Sequence, residues 1–183
     1  MEKKQQEADM KNKAGNLLSW VASSAVLIGI DQYTKALAVA RLKNQQPFVI
    51  LDGVFEFLYS ENRGAAFGLM QGRQGFFFLI GIVVLAVAGY AMLRMPGWQE
   101  KRYHWLKLCV IMITAGAVGN MIDRVSQGYV VDFLYFKLID FPIFNVADCY
   151  VVIATFLLMV LIFFVYSEED LLFLSFRKQG REQ

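Results

Sequence analysis

From Phe76 to Leu93 the chain carries no Asp, Glu, Lys or Arg, and this uninterrupted apolar run is about as long as an α-helix needs to cross the hydrocarbon core of a bilayer. A second uncharged run extends from Cys149 to Ser167. Two more reach spanning length with few charges: Leu17 to about Arg41, broken only by "DQYTK" at 31–35, and Trp105 to Ile122, whose one charge, Lys107, falls near its start. Of 183 residues 57% are apolar and 19% charged, with the charges gathered at the ends and in the connections. The fold class this predicts is a single α-helical integral membrane domain with four transmembrane helices.

The expected order is a charged, poorly ordered arm at 1–16, spans at 17–41, 76–95, 105–122 and 149–167, long connections at 43–75 and 123–148, and a tail at 168–183. The first span has signal-peptide character in "LLSWVASSAVLIGI" and small residues near Ala40. A charged interruption followed by further spans fits a retained helix better. In the first connection, "FVIL" and "VFEFLY" are β-branched and aromatic and are separated by Asp52-Gly53, a hairpin signal. A small β-element on the outer membrane face is expected there. The tail segment "LLFLSFRKQG" is a weak candidate for a short interfacial helix.

Four spans place both termini on one side. The arm, the second connection and the tail hold eleven Lys and Arg, and the first and third connections with their edges hold six. The bias predicts cytoplasmic termini and puts the two long connections on the opposite face. A net charge of +2 with no basic, aromatic-interleaved surface gives no reason to expect nucleic acid. The single histidine, His104, and the two cysteines, Cys109 and Cys149, cannot supply the three or four protein ligands of a zinc site. The cysteines read as small apolar fillers of the spans.

Ionisable residues beside or inside spans are candidates for function, because an unpaired charge there is strongly disfavoured. Asp31 precedes Lys35 by four residues, and an i,i+4 ion pair and a direct role in a site are both open. Asn120, Asp123 and Arg124 share one helix face at the outer end of the third span, with Arg124 a positive partner beside Asp123. Asn145 and Asp148 open the fourth span in the pattern of a capping box. Capping does not exclude catalysis, since a helix N-terminus favours negative charge. Asp132 sits among Val, Phe and Tyr with no basic neighbour, so desolvation is expected to raise its pKa. Asp132 and Asp148, with environments pushed apart, are the pair suited to acid–base work on water. Asp140, between them, reads as a solvated loop charge.

In their order, "DQYTK" (31–35), "ENRGAAFG" (61–68), "GNMIDR" (119–124), "VVDF" (130–133) and "FNVAD" (144–148) resemble the lipoprotein signal peptidase, or bacterial signal peptidase II, family. The resemblance runs from the first span to the start of the fourth. It implies a four-helix inner-membrane protease with a β-cradle on the periplasmic face, which cuts prolipoproteins just before a diacylglyceryl-modified cysteine without a cofactor. It places the catalytic aspartates at Asp132 and Asp148. Asn62, Asn120, Asp123, Arg124 and Asn145 match polar residues around the site, and Asp31 matches a supporting position. The expected partners are lipid-modified prolipoproteins and membrane lipid, with the chain a monomer. Two readings from other classes compete: a proton-coupled transporter using the aspartates as a relay, and a non-catalytic assembly factor binding through the outer hairpin.

Overall fold

The computed structural model describes residues 2–64 and 74–174. Helix α1 runs without a break through Glu2–Leu42, strands β1 (Phe48–Leu51) and β2 (Phe55–Asn62) follow, and α2 spans Gln74–Arg94. After a 3-10 turn come α3 (His104–Gln127), strand β3 (Val130–Phe136) and α4 (Val146–Val160), which ends in a π-turn at Leu161–Val165. All four helices are long and apolar enough to cross a membrane.

The arm at 1–16 is not the poorly ordered segment expected from its charge. From Glu2 onward it is the first part of α1, because its residues are strong helix formers and Lys11–Glu7 and Lys13–Asp9 pair at i,i+4. Asn16 then anchors the helix, donating from Nδ2 to the carbonyls of Met92, Met95 and Pro96. At the other end of the chain, Glu169–Leu174 forms a 3-10 turn that packs Leu171, Phe173 and Leu174 against the bundle. This part of the tail joins the core instead of lying along a surface; the remainder of the expected interfacial helix falls outside the described residues.

Helix α3 is the centre of the bundle and packs against each of the other three. Its small residues permit this close approach: a Cβ on Gly116 would lie 2.5 Å from the Ala147 carbonyl oxygen. Met92, Cys109, Ala154 and Leu161 fill the core between helices. Large apolar side chains such as Leu79, Val87, Phe156 and Phe163 point outward, as expected of helices whose solvent is lipid.

The β-element exceeds the hairpin expected from the first connection. Asp52-Gly53 turns the chain between β1 and β2, with Gly53 at φ 70, and β3 from the second long connection adds antiparallel to β2, giving the order β1-β2-β3. Ser60 lies opposite Asp132 in that pairing, and Asn62 opposite Val130. Strand β3 begins three residues after α3 because Gly128, at φ 82, stops the helix with its N–H bonded to the Arg124 carbonyl. One short turn thus carries the chain from the centre of the bundle to the sheet.

Candidate active site

Asp132 reaches the site from the middle of β3, and Asp148 from the first turn of α4. Helix α4 starts at Asn145, whose Oδ1 accepts from the Asp148 N–H at 3.0 Å while Asp148 Oδ2 accepts from the Asn145 N–H at 3.2 Å. The capping box read from the sequence is formed. The same Asn145 is fully buried, and its Nδ2 donates to Asp132 Oδ1 at 2.6 Å and to Asn120 Oδ1 at 3.1 Å. Asn120 in turn donates from Nδ2 to Asp148 Oδ1 at 2.8 Å. Two carboxamides therefore lie between the two carboxyls and hold one each.

Asp132 is 2% exposed. Burial, followed by the negative charge of Asp148, pushes its pKa up to about 7, against the opposing hydrogen bonds from Asn62 and Asn145 and the charge of Lys35. Asn62 holds the second Asp132 oxygen, Nδ2 to Oδ2 at 3.0 Å, and its own Oδ1 accepts from the Gly64 N–H. Both aspartates line a cavity of about 620 Å³. Its polar end is made by Asn62, Asn120 and Arg124, and its apolar walls include Phe141, Ile143 and Val152.

Asp31 is fully buried and does not line that cavity. Its Oδ1 accepts from the Ala147 N–H at 3.0 Å, so a side chain of α1 caps the start of α4. Its Oδ2 meets Lys35 at 2.9 Å, the i,i+4 pair read from the sequence. One carboxylate therefore both pairs with Lys35 and caps α4.

Arg124 is not the direct partner of Asp123 that adjacency in sequence implied. Successive helix residues diverge around the axis. Asp123 bonds Lys35 at 3.1 Å, Gln32 Nε2 at 2.9 Å and the Val131 N–H at 3.1 Å, whereas Arg124 donates to the carbonyls of Asn120 and Gly64 and lies over the Phe77 ring. Asp123 thereby ties β3 to the bundle, and Arg124 holds the end of β2's connection. Asp140 is exposed and accepts from the Tyr135 hydroxyl; its neighbours Ile139 and Phe141 line the cavity, and it does not. Of the "ENRGAAFG" motif, the residues beyond Gly64 lie outside the described residues.

Sequence reasoning missed Gln32, which bridges Asp31, Asp123 and the Gly119 carbonyl, and the bond from Lys35 to Asn120. Their only signal was membership of "DQYTK". Among the described residues no three His, Cys, Asp or Glu side chains converge as a metal site.

A buried and a half-buried carboxyl from separate elements, held in one cavity of a four-helix membrane bundle, are the arrangement of a membrane-embedded aspartic peptidase. Comparison with known proteins supplies the family. Residues 23–164 match the family model of Signal peptidase (SPase) II, peptidase A8. The lipoprotein signal peptidase of Streptococcus thermophilus (strain CNRZ 1066) is 39% identical over 79% of this chain and 90% of its own length. That of Caldanaerobacter subterraneus subsp. tengcongensis is 41% identical over 76% and 92%. A solved bacterial membrane enzyme superposes with a TM-score of 0.68 at 29% identity, over 81% of this chain and 94% of its own. The chain belongs to the signal peptidase II family.

Proposed function

We propose that Asp132 and Asp148 are the catalytic dyad of a peptidase that removes the signal peptide of prolipoproteins, cutting before the lipid-modified cysteine. The observation that carries this reading is the pair of carboxamides, Asn120 and Asn145, that binds both carboxyls at one cavity. Asp132, with its raised pKa, is the acid, and Asp148, at the positive end of a helix, is the initial base. Asp148 takes a proton from a water as the water attacks the scissile carbonyl, and Asp132 gives its proton to the carbonyl oxygen, forming a gem-diol. Proton return to the nitrogen breaks the C–N bond and frees the amine of the lipidated cysteine.

The apolar walls of the cavity suit a substrate whose acyl chains stay in lipid. Val152 and Ile153 on α4 are exposed on the membrane-facing side of the same cavity. The Lys and Arg bias supports a topology with both termini in the cytoplasm and the dyad at the periplasmic face of the bacterial inner membrane, and a monomeric enzyme fits a proposed site whose residues all belong to one chain. Asn62, Asn120 and Asn145 orient the dyad directly, Asp31 and Asp123 hold α4 and β3 in place, and Arg124 shapes the cavity mouth.

Incubating the purified protein with a diacylglyceryl-modified precursor tests the proposal. The wild type should release a fragment with an amino-terminal lipocysteine, and Asp132→Asn and Asp148→Asn should release none while remaining membrane-inserted. Substantial turnover by either variant ends the dyad assignment.

A further inference from the structure

Lys35 is 3% exposed, and each of its ammonium hydrogens has an acceptor within reach: Asp31 Oδ2 at 2.9 Å, Asp123 Oδ2 at 3.1 Å and Asn120 Oδ1 at 2.9 Å. Two of these are anions, which any buried cation would seek. The third is a neutral amide oxygen. It belongs to the residue that holds Asp148.

A carboxamide can sit either way round, and its two ends carry opposite hydrogen-bonding character. With Lys35 donating to Asn120 Oδ1, only the amide nitrogen is left to face Asp148, where it donates at 2.8 Å. The reversed amide would put an oxygen against the carboxylate and its NH₂ against an ammonium. Asn120 Oδ1 also receives Asn145 Nδ2, and that nitrogen is the donor to Asp132. One cation thus sets the direction of both amides and, through them, the seats of both carboxyls.

We infer that Lys35 is a positioning residue for the hydrolysis, orienting the Asn120 carboxamide and, through Asn120 and Asn145, fixing Asp148 and Asp132 in their reacting geometry. The inference rests on the dyad reading above. The charged groups around Lys35 are Asp31 on α1, Asp123 on α3, and, across the amides, Asp132 on β3 and Asp148 on α4. Arg124, also on α3, turns its guanidinium to Gly64 and Phe77.

A purely charge-balancing lysine would be dispensable once one of its anions were removed, and this separates the two roles. Lys35→Met alone leaves two buried carboxylates uncompensated, so the decisive variant is Lys35→Met with Asp123→Asn, in which one positive and one negative charge leave together. Both are assayed in liposomes on a lipid-modified precursor peptide, with thermal unfolding in detergent as the measure of fold. The double variant should unfold cooperatively, lose about 100-fold in kcat, the cost of a misplaced catalytic group, and keep KM within about threefold. Its alkaline limb should move upward, since the cation no longer favours carboxylate in the dyad. Lys35→Arg, which retains charge and donors, should recover part of kcat. Wild-type kcat and pH profile in the folded double variant, or loss of the folded state in both Lys35→Met variants, overturns the inference and leaves the dyad standing. Turnover by Asp132→Asn removes the dyad itself.

Discussion

Asn145 donates to Asp132 across 2.6 Å from the residue that caps the helix bearing Asp148. The position of β3 relative to α4 is therefore fixed in part at the proposed reacting groups themselves, beside the backbone pairing of Leu134 with Phe144. Helix capping and dyad assembly depend on one side chain.

Substitution can separate those two functions. Asn145→Ala loses both the cap and the Asp132 bond, and should lower stability by about 1 kcal/mol from the cap alone, a fall in Tm of about 2–4 °C for a chain of this size. Asn145→Ser keeps a capping oxygen but has no amide nitrogen for Asp132 or Asn120. It should regain most of the lost Tm and stay as inactive as the alanine variant. Equal recovery of both quantities would mean that the Asp132 bond is incidental.

The pH dependence of cleavage follows from Asp132. Its pKa of about 7, raised chiefly by burial, leaves the acid protonated below neutrality, so cleavage should decline as pH rises through about 7. Removing the Asn62 donor, which lowers that pKa, should move the decline upward in Asn62→Ala. Stability falls with rising pH as well. Because the folded-state pKa lies above the ordinary value of 3.8, the folded protein loses stability as pH rises from about 4 to about 7. Asp132→Asn should accordingly be inactive and, at pH 8, melt higher than the wild type. Coincident melting curves at pH 8 would remove the burial argument for an acid at Asp132.

At the opposite end of the bundle, Arg102 clasps the tail, with Nη2 at 2.6 Å from Asp170 Oδ2 and 3.2 Å from the Val165 carbonyl. The Arg102 hydrogen bond, helped by Ser167, holds the Asp170 pKa down to about 2. A depressed carboxylate keeps its stabilising contact above its ordinary range and loses it only as pH falls toward that value, so the clasp is intact from pH 5 to 9. Arg102→Ala should expose the chain after Val165 to limited proteolysis throughout that range, with cleavage of precursor within about twofold of wild type, as expected for a change this far from the site.

What the sequence disclosed was governed by how local each feature is. The uncharged run of α2 needs no neighbour to be read as a span, and the Asn145–Asp148 box is visible because its partners are three residues apart. Strand β3 was hidden because "VVDFLYF" has no turn partner of its own; it pairs with β2, about seventy residues earlier. The spacing of Asp31 and Lys35 allows an i,i+4 ion pair, and that pair exists. Its bonds to Asp123 and Asn120 depend on how α1 packs against α3, which no spacing within α1 encodes. The partners of Arg124, Gly64 and Phe77, are beyond sequence for the same reason: adjacency along a helix says little about which side chain faces which.

That packing of α1 on α3 depends on the absence of a side chain. A Cβ at Gly119 would lie 2.5 Å from Asp31 Oδ2 and 3.5 Å from the Ala147 Cβ, in the buried cluster where Asp31 meets Lys35 and caps α4. Gly119→Ala must displace either the carboxylate or α4, and overpacking of this kind costs about 1–3 kcal/mol. Moving Asp31 also withdraws the acceptor from the Ala147 N–H, so the first turn of α4, and Asp148 with it, should shift. The expected result is a lower Tm together with a fall in kcat of at least tenfold, about the effect of a small displacement of a catalytic group. Gly29 on α1 has nothing within 4 Å of its Cβ position, and Gly29→Ala should leave activity unchanged and stability equal or slightly higher, since alanine favours helix over glycine by about 1 kcal/mol. Similar behaviour of the two variants would show that the α1–α3 contact does not transmit to the dyad.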